Sequence, residues 1–157
     1  MHQNNFEMRK FLKIPMIFFA ASMAVFAVSC NSKPSNPNVP EADINIYIYP
    51  NSLQYYELNN VGGKLCISAN QPSRGIIVYR YNIDEFKAYE RLDPNNPYTC
   101  PGNRLIFIDS IDYNIIFDTC SNHRYSILTG ELIGESGYDL VQYFTYFDGT
   151  ELRITNN

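Results

Sequence analysis

Cys120-Ser121-Asn122-His123 sets a thiol and an imidazole three positions apart, close enough for one loop to aim both at a single point. A thiolate and a neutral imidazole are ligands for zinc or iron, and a thiolate beside a base is also a nucleophile. Three more cysteines, Cys30, Cys66 and Cys100, could join such chemistry. Nucleophilic catalysis would need a free Cys120 thiolate beside His123 and a third group to orient the imidazole, and the sequence supplies no such group at that spacing. No serine sits on a nucleophile elbow. Gly62-Gly63 lacks the Gly-Lys that would make a phosphate loop and is read as a turn or bulge. Asp109, Asp112 and Asp118 lack the calcium-loop spacing and its central glycine, and are expected to be solvated carboxylates at strand ends. An enzyme is therefore not expected.

The elements that would position these residues are strands. Ile44 to Tyr49 alternates at period two, and Gly75 to Tyr81 is a β-branched and aromatic run. Phe86 to Arg91 follows after an Asn-Ile-Asp turn, and Arg104 to Ile108, Asn114 to Phe117, Tyr143 to Phe147 and Glu151 to Thr155 read the same way. Asp148-Gly149 between the last two is a hairpin signal, because glycine accepts the positive φ such turns require. Only Asn51 to Leu58 reads as a short helical turn. The expectation is an all-β fold, a small antiparallel β-sandwich or barrel. With 13 Tyr and 10 Phe in the chain, rings are expected to fill the core or cover sheet faces rather than form a ligand cage. The net charge of −4, with Lys and Arg scattered, excludes the basic stripe a nucleic acid demands.

Residues 1–29 read as an address. Arg9, Lys10 and Lys13 precede an apolar run from Ile14 to Val28, shorter than the roughly 20 residues a spanning helix needs. Ala27-Val28-Ser29-Cys30 resembles a lipobox, in which the thiol is acylated and the chain is cut just before it. A plain signal-peptidase site is the alternative. Two acyl chains on Cys30 would suffice for stable anchoring. The Pro-, Asn- and Ser-rich segment after it has too little apolar surface to fold, so residues 30–42 are expected to form a lipidated tether and residues 43–157 one β domain. Asn31 is not the Asp that retains many lipoproteins at the inner membrane, so an outer-membrane location is expected.

Cys120-Ser121-Asn122-His123, followed by Arg124 to Thr129-Gly130 and Ile133-Gly134, resembles the second cluster-binding loop of Rieske iron–sulfur domains. Gly75 to Arg80 with Phe86 to Arg91 is similar to the strands that enter the first such loop, and Leu140 to Ile154 to the closing hairpin. The resemblance implies a Rieske-like fold in a bacterial lipoprotein with degenerate cluster positions at Asp93, Asn95, Cys120 and His123. A Rieske centre needs two Cys and two His. The first loop offers Asp93-Pro94-Asn95, and with His2 in the leader His123 is the one histidine left, so no iron–sulfur cofactor is expected. The resemblance also implies that Cys100 and Cys120 face each other and form a disulfide in an oxidising compartment. Cys66 is then a buried free thiol, although its pairing with either partner stays open. Cys100, Cys120 and His123 could alternatively hold one zinc, but a disulfide would remove both thiolates, and a loop-tip histidine bonded to backbone is the better expectation.

Three functions remain: an anchored, non-catalytic scaffold or accessory domain facing a protein or other envelope partner, an envelope redox or metal protein, and a small-ligand binder using exposed tyrosines. The first is preferred. Mass-spectrometric thiol counting with peptide mapping is expected to find one free thiol, at Cys66, and a Cys100–Cys120 bridge. Three free thiols would favour the redox or metal reading.

Overall fold

The computed structural model describes residues 36, 38–96, 105–107 and 113–156. They fold almost entirely as antiparallel β structure, curled as a half-barrel. The strands are β1 (Asn45–Ile48), β2 (Lys64–Ile67), β3 (Ile76–Arg80), β4 (Phe86–Glu90), β5 (Ile106–Phe107), β6 (Ile115–Phe117), β7 (Arg124–Ser126), β8 (Gln142–Phe147) and β9 (Leu152–Thr155). A short 3-10 helix, Leu53–Leu58, falls where the sequence suggests a helical turn. Among the described residues no helix is long and apolar enough to cross a membrane.

Six strands form one sheet in the order β1-β9-β8-β4-β3-β2, and β5-β6-β7 form a second. The β8–β9 hairpin closes over Asp148-Gly149, with Gly149 at φ +95° and the Asp148 carboxylate accepting from the Thr150 and Glu151 amides. The turn therefore works by the chemistry its residues announce.

Strand β3 is buried along its whole length, and β4 nearly so. Alternate residues explain this. Ile76, Val78, Phe86 and Ala88 join Ile48, Leu152 and Ile154 in one core, while Ile77, Tyr79 and Tyr89 join Leu105, Ile116, Tyr125 and Ile127 in another. The second core is the interface between the two sheets. A strand covered on both faces needs no polar alternation, which is why Gly75 to Tyr81 reads as a continuous apolar run.

Two buried polar groups shape the central hairpin. The Arg80 guanidinium donates to the Leu58, Asn59 and Ile83 carbonyls and to Asn51 Oδ1, and lies 5.1 Å from the Phe86 ring centre. It thereby satisfies carbonyls at the end of the short helix that the backbone leaves open. Glu90, at the end of β4, accepts from the Arg74 and Leu92 amides and from the Tyr143 hydroxyl. Those bonds set the direction in which the chain leaves β4.

No hydrogen-bond partner meets the buried Tyr89 hydroxyl among the described residues, and burial pushes its pKa up to about 12. Tyr89→Phe removes that unsatisfied group and is expected to leave urea-denaturation stability unchanged or raise it by about 1 kcal/mol. Ile77→Ala, in the same core, is expected to lose about 2–5 kcal/mol. A large loss in Tyr89→Phe would mean that the hydroxyl has a partner.

Candidate functional site

Two loops meet beside the second core. The first leaves β4 through Leu92 and carries Asp93, Asn95 and Asn96. The second connects β6 to β7 and spans Asp118 to His123. Its shape is locally encoded. Asp118 Oδ1 accepts from the Cys120 amide, the Asp118 carbonyl from the Asn122 amide, and the His123 carbonyl from the Asp118 amide. Asn122 takes φ 63°, a left-handed conformation that asparagine tolerates better than most residues.

Asp93 joins the loops and is only 4% exposed. Its Oδ2 lies 2.7 Å from His123 Nδ1 and 2.9 Å from Ser121 Oγ. Its Oδ1 accepts from the Tyr125 hydroxyl at 2.6 Å and the Asn95 amide at 2.8 Å. Ser121 Oγ is also 2.8 Å from Asp118 Oδ2, and its single proton can serve one carboxylate at a time. Asn95 extends the network by donating to Tyr125 Oη and the Tyr138 carbonyl and accepting from the Tyr138 amide. Asn96 Nδ2 lies 3.9 Å from Cys120 Sγ.

The two carboxyls part in acidity. Burial alone would raise both. For Asp93 the hydrogen bonds from Asp118, Tyr125, Asn95 and His123 overcome burial and hold its pKa down to about 2. For Asp118 burial and the bond to Asp93 act together and push it up. Asp93 is therefore the anion, and Asp118 the partner drawn toward its acid form. Burial and the Asp93 anion likewise push the Tyr125 hydroxyl well above its ordinary range.

Two sequence expectations are corrected here. His123 pairs with a buried carboxylate rather than with backbone, and its Nε2 points toward Glu135 Oε1 at 3.8 Å. Asp118 is buried at 1% exposure rather than solvated, because the closing β6–β7 loop takes it into the inter-loop network; Asp109 and Asp112 lie outside the described residues. Cys120 is disulfide-bonded, which withdraws its thiolate from a Cys100, Cys120 and His123 zinc set. Cys66 is free and half-buried, and burial pushes its thiol pKa up. Cys100 and Cys30 lie outside the described residues, as does the whole address segment.

The structure thus brings Asp93, Asn95, Cys120 and His123 into one cluster. Sequence reasoning missed Ser121 and Tyr125 as its donors and Asp118 as its second carboxyl. The signal available was Asp118 at the start of an Asp-x-Cys turn, with Tyr125 two residues beyond His123, in the middle of β7. The described side chains of this cluster, one imidazole, two carboxyls and a disulfide-bonded cysteine, are not the two Cys and two His that a Rieske centre needs. Asp93, Asp118 and His123 offer ligand atoms within 4.8 Å of one another, yet each is already bonded within the cluster. Ser121 is committed to the carboxylates and to the His123 amide, so it is no nucleophile for His123. The arrangement can hold two loops together and share a proton.

Comparison with known families, curated proteins and solved structures found no match.

The asymmetry between the carboxyls predicts unequal mutants. Asp93→Asn removes the anion that His123 and Tyr125 require and is expected to lose about 3 kcal/mol. Asp118→Asn keeps an acceptor for Cys120 and a donor for Asp93, and is expected to lose less than about 1 kcal/mol. A carboxyl held below its ordinary value contributes stability above pH 3.8, lost as pH falls toward about 2. The gap between wild type and Asp93→Asn in urea titrations should therefore close over that window. Asp118, raised, works in the opposite sense as pH climbs above 3.8. Equal losses in the two mutants would refute this assignment.

Proposed function

We propose that the chain is an extracytoplasmic lipoprotein, anchored through Cys30 at the outer membrane, whose β domain is a non-catalytic accessory module. In this reading the β6–β7 loop, which resembles the second cluster-binding loop of Rieske domains, and the loop leaving β4 serve as a structural clasp. The observation that carries it is that the groups able to do chemistry are spent on one another: Cys120 in a disulfide, and His123 and Ser121 on the Asp93 carboxylate. A bond between Cys100 and Cys120 completes the clasp in this proposal. Across a loop of this length, it would contribute about 3 kcal/mol in the chain-entropy model. The leader and polar tether support the anchor, and the mild negative charge supports a partner other than nucleic acid.

The test joins anchoring to metal content. Expressed with its own leader and fed an alkynyl fatty acid, the protein is expected to take up label, and Cys30→Ala to lose it entirely. Elemental analysis of the purified wild type is expected to find iron and zinc far below one per chain. Label retained by Cys30→Ala would overturn the anchor. A stoichiometric metal lost in His123→Ala would replace the accessory reading with an envelope redox or metal protein.

A further inference from the structure

The chain meets the β domain before β1 begins. The Ala42 and Ile44 side chains sit in the first core, 4% and 2% exposed. Asn156, just past β9, holds this stretch by its side chain. Its Nδ2 donates to the Ala42 carbonyl at 2.8 Å, and its Oδ1 accepts from the Ile44 amide at 2.7 Å. Earlier in the chain, Asn38 Nδ2 donates to the Pro94 carbonyl at 3.0 Å. The Asn36 side chain accepts from the Asn38 amide, and the Asn36 carbonyl from the Val39 amide. Asn38 is therefore fixed next to Asp93, on the loop that leaves β4.

The registers fix which end of the large sheet this is. Ile76 pairs with Glu90, and Asn45 with Thr155, whose other neighbour is Phe144. The start of β1, the end of β4, the β2–β3 loop and the clasp thus share one end. At the opposite end Arg80 pairs with Phe86, and Ile48 with Leu152. There the Arg80 side chain ties the short helix to the β3–β4 turn, and its carbonyl accepts from the Gly62 amide. That far end carries exposed apolar side chains: Leu53, Tyr56, Val61 and Ile83.

Cys30 precedes Asn36 by six positions. Six residues reach at most about 20 Å when fully extended. A five-residue strand such as β3 or β4 is itself about 17 Å long. A lipid on Cys30 therefore holds the domain by its clasp end, on a tether hardly longer than the sheet is tall. The far end is poorly suited to lie on lipid. Surfaces that enter the headgroup layer set Lys and Arg beside their apolar side chains. Here Asp84 and Glu85 follow Ile83, and Glu57 follows Tyr56.

We infer that the domain is held on the membrane with its clasp end toward the lipid headgroups and its Leu53 and Ile83 end turned to the aqueous side. The inference rests on the Cys30 anchor proposed above. It adds that the chain from Asn38 to Ile44 is a docked strap, which leaves only the residues between Cys30 and Asn36 to set the distance from the bilayer.

The full-length lipoprotein, expressed with its own leader, is reconstituted in phosphatidylcholine vesicles that carry an acceptor dye on a headgroup. A donor dye is attached at Ser68→Cys, on the β2–β3 loop, or at Leu53→Cys, each in a Cys66→Ala background; both labelled positions are exposed. Energy transfer is expected to be at least about twofold more efficient from position 68 than from position 53, because the strands separate the two ends by roughly 15 Å. Inserting about ten Gly-Ser residues between Asn31 and Ser32 is expected to narrow that difference. Equal transfer from the two positions, stronger transfer from position 53, or a difference that the insert leaves untouched overturns the orientation while the anchor stands. A chain that takes up no acyl label and stays off the vesicles overturns the anchor, and the orientation with it.

Discussion

A carboxylate taken out of water must have its lone pairs met, and Asp93 meets that requirement by drawing donors from both loops. Its own loop supplies the Asn95 amide; the β6–β7 loop and β7 supply His123, Ser121 and Tyr125. The consequence is mechanical. The loop leaving β4 belongs to the large sheet and the loop entering β7 to the small one, so a single buried anion ties the sheets at one end of their shared core. Tyr125 does both jobs, its ring among Ile77, Tyr79 and Tyr89 and its hydroxyl on Asp93. Packing and charge therefore support one arrangement of the two sheets.

The same logic describes how the cluster's reactive atoms are held. Reactive groups act when their reactive atoms are left for a substrate or a metal. Here the histidine is held through Nδ1, the serine is shared between carboxyls and the cysteine is oxidised. A cation among Asp93, Asp118 and His123 would have to displace these bonds rather than fill a waiting site. Burial and the bond to Asp93 push the Asp118 carboxyl up, which favours a proton there and softens the repulsion between two buried carboxyls.

The central hairpin imposes a second constraint. Because β3 and β4 are covered on both faces, the six-stranded sheet has cores on both sides, but the small sheet is too narrow to cover its full width. The remainder, on β8, β9 and β1, keeps aromatic residues in water.

What the residues determine alone is local: period-two alternation marked the strands, the Asp148-Gly149 turn closed the last hairpin, and the apolar run at Gly75 marked a strand with no solvent face. Strand pattern and composition together were enough to read an all-β domain. The positions Asp93, Asn95, Cys120 and His123 were legible through their resemblance to a motif, but their roles were not. Asp118 read as a surface carboxylate because alternation describes only neighbours in the chain, and its burial depends on a loop from another sheet arriving beside it. His123 likewise found its partner thirty positions away. Which carboxyl keeps the charge, and which tyrosines face water, were decided by tertiary structure alone, since both follow from long-range packing that sets local dielectric and donor count.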